Sequence, residues 1–275
     1  MNWTSELLQH LAQEPAILVS VVASRGSVPR ETGAWMAVFA QHTLNTVGGG
    51  HLEWDAMARA RAMLACGTGD TDGAEDAGEV RQTYTLGPSL GQCCGGVVEL
   101  RFEYVSAKDG SALAQRLAQP TVAVALFGGG HVGRALVQVL GNLPMAVTWI
   151  DSRDEIFPDA LPTSVRCEHS DPVQAAVADL APGSRVLIMS FSHAQDLDIV
   201  AACLARQRTH GDLPYVGLIG SKTKWASFQK RLAAQGFSPD ELAHITCPIG
   251  IPGITDKRPE VIAVAVAAQL LQVVP

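Results

Sequence analysis

The sequence predicts an α/β protein in which an N-terminal α+β domain precedes a Rossmann-like domain with a doubly wound parallel sheet. Three observations lead to this prediction. The chain has 275 residues, which suits about two domains. Strand-like apolar runs alternate with helical patterns after Pro120, and a G-x-G-x-x-G motif lies between the first of these strands and its helix. We place the N-terminal domain at residues 1–105, a linker at 106–120 and the Rossmann-like domain at 121–275.

The N-terminal elements are predicted from short apolar patterns. Helical spacing covers 3–11 and an alanine-rich stretch at 52–64, whereas strand patterns cover 16–23, 35–39, 80–86 and 97–105. Glycine-rich loops separate these elements. This mixture of helices and strands, without regular alternation, indicates an α+β domain.

The C-terminal elements alternate along the chain. Strands are predicted at 121–127, 146–150, 185–189 and 215–219, and helices at 134–140, 171–180, 194–208 and 222–234. Such succession implies a parallel sheet with right-handed crossovers. Ligands of these sheets bind beyond the carboxyl ends of the strands, so the loops that follow the strands hold the candidate binding residues.

The first of these loops contains the glycine motif. Gly128 permits a tight turn, Gly130 lets the backbone approach a phosphate, and Gly133 lets the helix lie close to the strand. Asp151 ends the next strand, where an acidic side chain meets a ribose hydroxyl. In the alternative interpretation, the glycines serve packing alone.

Two further features suit an anion. Ser221 and Lys222 lie at a helix start, where a phosphate or ordinary capping is equally compatible with the pattern. Arg25 and Arg30 flank a glycine-containing loop between two strands, which suits an anion or a plain hairpin connection with solvated arginines.

Composition narrows the function classes. The net charge of −7 argues against non-specific binding to nucleic acid or to an anionic membrane. The longest apolar run, 261–268, is far shorter than the roughly 20 residues that span a bilayer. Because the N-terminus lacks the pattern of a secretory signal, we expect a cytoplasmic protein with free thiols.

Cys93 and Cys94 form the most unusual feature, because they are adjacent and flanked by glycines. Neighbouring Cα atoms lie about 3.8 Å apart, below the usual minimum of about 4.4 Å for a disulfide, so we interpret the pair as two thiols. Thiolates on one loop could ligate a soft metal. His51 and Glu53 could join them if their loops meet, although both residues also suit a helix start. The alternative is a chance pair of small buried residues.

Six motifs in order resemble the xanthine dehydrogenase accessory protein family. They are residues 25–30 (RGSVPR), 48–53 (GGGHLE), 90–96 (LGQCCGG), 128–133 (GGGHVG), 218–222 (LIGSK) and 247–253 (CPIGIPG). The resemblance covers nearly the whole chain. It implies a homodimeric, non-enzymatic chaperone of purine catabolism, which binds the molybdenum cofactor (molybdopterin). The chaperone protects the cofactor while a cysteine desulfurase supplies the sulfido ligand, and then inserts it into xanthine dehydrogenase.

On this interpretation, Cys93 and Cys94 face the metal, with Gln92 beside them, and a glycine-rich helix start takes the phosphate. The cofactor-binding candidates are Gln92, Cys93, Cys94, Arg25, Arg30, Gly128, Gly130, Gly133, Asp151, Ser221 and Lys222. Two alternatives stay open. The loop from Gly128 to Gly133 could serve an NAD(P)-dependent oxidoreductase with His193 as base, or the adjacent thiols could report redox state in a binding module.

Overall fold

The computed structural model describes residues 3–66, 79–87, 95–118 and 120–273. The chain forms two compact units that divide between residues 118 and 119, later than the predicted domain end at residue 105. None of the helices in the described ranges is both long enough and apolar enough to cross a membrane.

The N-terminal unit is built on an antiparallel five-stranded sheet with the order β3-β2-β1-β5-β4. Its elements are α1 (Trp3–Leu11), β1 (Ala16–Arg25), β2 (Trp35–Val38), β3 (Thr43–Asn45), α2 (Gly50–Ala65), β4 (Glu79–Thr85), β5 (Val97–Val105) and α3 (Gly110–Arg116). The central strand β1 is buried on both faces. Ile17 and Val19 join the cluster that contains Leu52 of α2, whereas Leu18 joins the cluster of α1 and α3. Helices therefore cover both faces of this sheet.

Residues predicted as linker belong to this unit. A short 3₁₀ turn at Ala107–Asp109 leads into α3, and Leu113 of α3 is buried in one cluster with Leu7 of α1. Helix α3 is short and polar on its outer side, so its apolar contribution to the core is small.

The C-terminal unit is a six-stranded parallel sheet with the order β11-β10-β9-β6-β7-β8. Its elements are β6 (Val122–Phe127), α4 (His131–Leu140), β7 (Met145–Asp151), β8 (Val165–His169), β9 (Arg185–Ile188), α5 (His193–His210), β10 (Tyr215–Leu218), α6 (Lys222–Ala234), α7 (Pro239–Leu242), β11 (Ile245–Thr246) and α8 (Pro259–Gln272). One face packs against α5 and α6, the other against α4 and α8. The predicted fold class is confirmed.

The strand order reverses direction between β6 and β9, which makes the carboxyl ends of these strands the expected ligand crevice of the sheet. The helix predicted at 171–180 is shorter in the structure and is of the 3₁₀ type, at Val173–Asp179. Its buried residues Val173, Ala176 and Val177 have a spacing that fits both helix types over so short a stretch.

Candidate ligand-binding sites

The first and third glycines of the Rossmann loop are fixed by packing. Gly128 follows β6 with φ of 122°, and a Cβ atom built on it would lie 2.0 Å from the carbonyl oxygen of Met189, which follows β9. A Cβ on Gly133 would lie 2.1 Å from the carbonyl oxygen of Gly128. Gly130 differs, because no described residue beyond its chain neighbours places an atom within 4 Å of the corresponding position. The second glycine is thus the open one, at the start of α4.

Asp151, at the end of β7, is buried and fully hydrogen-bonded inside the protein. One carboxylate oxygen accepts from the Gly129 amide at 2.6 Å and from Nη2 of Arg153 at 2.9 Å. The other accepts from the amide and Nε of Arg153, both at 2.9 Å. Burial pushes the pKa of Asp151 up, but the Arg153 guanidinium and the two amides outweigh it and hold this pKa below its ordinary value. The carboxylate is therefore ionised at neutral pH.

Arg153 is held on a second side by an aromatic ring. Its guanidinium carbon lies 4.6 Å from the ring centroid of Phe191, a residue that is 68% exposed and follows β9. Nearby, Nε2 of Gln195 donates to Oγ of Ser152 at 2.8 Å. Sequence reasoning missed Arg153 and Phe191. The available signal was an arginine two positions after a strand-end acid.

A second polar cluster lies at the ends of β9 and β10. Asp196 is buried and accepts hydrogen bonds from Oγ of Ser190 at 2.6 Å, from the Ser190 amide at 2.8 Å and from Nζ of Lys224 at 2.6 Å. Lys224 also donates to the carbonyl oxygen of Ile219 at 2.8 Å. The two charged groups of this cluster therefore pair with each other, which suits a structural ion pair.

The residues around this cluster cap helices. Ser192 accepts from the Gln195 amide and caps α5, and Ser221 accepts from the Lys224 amide and caps α6. Lys222 is exposed. His193 is also exposed, and among the described residues it makes no hydrogen bond to Ser192 or Asp196 that would form a catalytic triad.

Three glycine-containing loops meet in the N-terminal unit. A Cβ atom on Gly96 would lie 2.6 Å from the carbonyl oxygen of Arg25 and 2.5 Å from that of Ser27. A Cβ atom on Gly48 would lie 2.5 Å from Cβ of Pro29. The loop that begins at Arg25 is therefore in close contact with Gly96, just before β5, and with Gly48, in the loop before α2.

The predicted site residues of this region are partly described. Arg25 and Arg30 are exposed, and their side chains make no hydrogen bond or ion pair with residues that the structure describes. Gln92, Cys93 and Cys94 lie outside the described residues. Across the described ranges, no group of three or more histidine, cysteine, aspartate or glutamate side chains is placed to hold a metal ion.

Glu53 fastens the loop before α2, and His51 does not share this role. One carboxylate oxygen of Glu53 accepts from the amides of Val47 and Gly49, both at 3.1 Å, and from the Thr46 hydroxyl. His51 is exposed, with its ring centroid 6.2 Å from that of Trp54, which is 64% exposed. Glu53 is thus positioned to hold the glycine loop in shape.

We expect Glu53→Gln to loosen this loop and to lower the free energy of unfolding by about 1–3 kcal/mol, because two amides and a hydroxyl lose a charged acceptor. Amide hydrogen exchange at Val47 and Gly49 should quicken, and chemical denaturation measures the stability. Glu31→Gln, at an exposed carboxylate, is the matched control. Unchanged exchange at both amides would show that Glu53 does not hold the loop.

The C-terminal unit is a Rossmann-type domain with its crevice at the reversal of strand order, and the N-terminal unit is a separate α+β domain with converging glycine-rich loops. A family model described as the XdhC Rossmann domain matches residues 124–270, just over half of the chain, and one described as the XdhC and CoxI family matches residues 10–71. The chain belongs to the XdhC family, which confirms the resemblance found in the sequence motifs.

Two known proteins are similar to this chain. "Uncharacterized protein YqeB" of Escherichia coli (strain K12) is 26% identical over 269 residues, which cover 94% of this chain and 43% of that protein. The chain thus spans less than half the length of this relative. A crystal structure described as a xanthine dehydrogenase from Bacillus halodurans is 20% identical, with a TM-score of 0.77 over 99% of this chain and 96% of that one. These two chains share the same fold.

Proposed function

We propose that the chain is a xanthine dehydrogenase accessory protein that carries the molybdenum cofactor. It binds molybdopterin, shields it while a cysteine desulfurase supplies the terminal sulfido ligand, and inserts it into xanthine dehydrogenase. The protein acts as a homodimeric chaperone, and the molybdenum cofactor is its cargo. Membership of the XdhC family supports this role.

The observation that carries the proposal is the contact between the arginine loop and the residue that follows the cysteine loop. Gly96 lies two residues after Cys94 in the sequence, and a side chain there would collide with the backbone of Arg25 and Ser27. Gly96 therefore lies against the loop that bears Arg25 and Arg30. Thiol and guanidinium chemistry are available within one unit.

This combination suits the chemistry of the cargo. Molybdopterin carries a phosphate, and its molybdenum is bound through sulfur. A guanidinium binds phosphate oxygens through charge-assisted hydrogen bonds, and the guanidinium groups of Arg25 and Arg30 make none to described residues. Thiolates are suitable ligands for a soft metal centre, which is the role proposed for Cys93 and Cys94.

Two helix starts of the C-terminal unit are further candidates for binding the phosphate. The amides that begin α4 follow Gly130, whose side-chain position is open, and Ser221 and Lys222 begin α6. Ser221 is already used as a cap, so α4 is the better of the two helix starts for a phosphate.

Replacing Cys93 and Cys94 together by alanine tests the thiol role. Losing a group that only supports the ligands of a metal site costs about 10–100-fold in metal affinity. Because the ligands themselves contribute more, we expect the affinity for purified molybdenum cofactor to fall by at least this factor. Fluorescence titration measures the affinity, and reconstitution of cofactor-free xanthine dehydrogenase measures delivery. Cys66→Ala, at an exposed thiol, is the control and should change neither.

The same titration on the Arg25→Ala and Arg30→Ala variants tests the anion role. Each loss of a hydrogen bond from a charged group costs about 1.5–3 kcal/mol, so we expect each variant to bind roughly 10–100-fold more weakly. Arg166→Ala, whose side chain is 75% exposed on β8 of the other unit, is the matched control. Unchanged affinity and delivery in the cysteine and arginine variants alike would refute the proposed function.

A further inference from the structure

The Rossmann crevice lacks the free acceptor that a dinucleotide requires. In a dinucleotide-binding domain, the acidic residue at the end of the second strand accepts hydrogen bonds from the ribose hydroxyls. Asp151 occupies this position at the end of β7, but its carboxylate already accepts four hydrogen bonds, one from Gly129 and three from Arg153. Because a carboxylate offers about four acceptor positions, a ribose diol finds none of them open.

Arg153 is held firmly in this arrangement. Its guanidinium edge makes two charge-assisted hydrogen bonds to Asp151, and its face lies against the ring of Phe191. A ribose would have to displace both contacts. It would also have to enter a space that is bounded at Gly129 by Ile156, whose Cγ1 lies 2.5 Å from where a side chain of Gly129 would begin.

The arginine does not create a site for the 2′-phosphate of NADP instead. An arginine near this position binds that phosphate when the acidic residue is absent or turned away. Here the ionised carboxylate of Asp151 lies 2.9 Å from the guanidinium nitrogens, so the arginine is already neutralised and the carboxylate would repel a phosphate. The residues present fit neither dinucleotide.

We propose that Arg153 closes the ribose position of this crevice, so that the crevice excludes NAD and NADP. Arg153 is a specificity-determining residue, although the sequence motif around it is that of a dinucleotide site.

Equilibrium dialysis of the full chain against NAD and NADP tests the proposal. The unaltered protein should show no saturable binding of either at millimolar concentration. Arg153→Ala frees two acceptor positions on Asp151, so NAD affinity should rise at least tenfold. Asp151→Asn combined with Arg153→Ala should abolish this gain, because the carboxylate that accepts from the diol is gone. A merely structural role of Arg153 would not produce a gain that depends on Asp151.

Two further variants keep the test decisive. Arg153→Lys replaces Arg153→Ala if the latter does not fold. Lysine keeps a cation but cannot make the paired hydrogen bonds, so NAD affinity should still rise, to a smaller degree. Arg166→Ala should match the unaltered protein. Micromolar binding of NAD or NADP by the unaltered protein overturns the proposal, as does the absence of any gain in the folded Arg153 variants. Neither result bears on molybdenum cofactor binding by the N-terminal loops, which is measured with that cofactor.

Discussion

Gly128→Ala is expected to unfold the C-terminal unit or to leave it severely destabilised. The added Cβ atom would lie 2.0 Å from the oxygen and 2.6 Å from the carbon of the Met189 carbonyl, which is backbone and cannot rotate away. Overpacking costs about 1–3 kcal/mol and a left-handed backbone at a residue other than glycine about 1–3 kcal/mol more. Together these approach the total stability of about 5–15 kcal/mol that is typical of a domain.

Gly130→Ala is the matched control from the same loop. Its backbone has φ of −70°, and the space where a Cβ atom would lie is open, so we expect a change below about 1 kcal/mol. The stability of this unit is measured by chemical denaturation, with amide hydrogen exchange in β6 and β7 as the readout. Exchange of the Trp149 indole is a local readout, because this N–H donates to the carbonyl oxygen of Gly128 at 3.0 Å. Equal stability of the two variants would contradict the packing role of Gly128.

Most of the parallel sheet could be predicted from the sequence, but its edge could not. Strands β6, β7, β9 and β10 were predictable because each is predominantly apolar, as expected for parallel strands that are buried on both faces. Strand β8 was missed, since it lies at the sheet edge and mixes charged with apolar residues. Helix α8 was noticed only as an apolar run too short for a membrane, although it covers one face of the sheet.

The candidate sites were predictable as positions and less so as contacts. Asp151 was expected at a strand end and lies there, but its saturation by Arg153 depends on how the backbone turns after β7. Similarly, Lys222 was chosen at the start of α6, whereas Lys224 makes the buried ion pair. The sequence shows where a helix begins, but it does not show which side chain of the first turn faces the sheet. Two residues further along the helix, a side chain points in a different direction.

Asp196→Ala is expected to cost about 3–5 kcal/mol, because removing one partner leaves the other charge of a buried pair uncompensated. The side chains of Asp196 and Lys224 are 3% and 12% exposed, and their charged atoms lie 2.6 Å apart. The Ser190 amide also loses its acceptor, whereas the Ser190 hydroxyl can still donate to the carbonyl oxygen of Ser192 at 3.2 Å. Thermal and chemical denaturation measure the loss. Asp198→Ala, two residues further along α5 and exposed, is the matched control and should stay within about 0.5 kcal/mol of the unaltered protein.

A double variant separates the charge from the packing at this position. If the uncompensated Lys224 ammonium causes most of the loss, Lys224→Met in the Asp196→Ala background should recover a large part of it, because an apolar side chain of similar length can replace a buried cation. If the orphaned Ser190 amide dominates, Asp196→Asn should recover more than Lys224→Met, since its side-chain oxygen can still accept from that amide. A loss in Asp196→Ala no larger than in Asp198→Ala would show that the pair contributes nothing, and that the ends of β9 and β10 are held together by their apolar contacts alone.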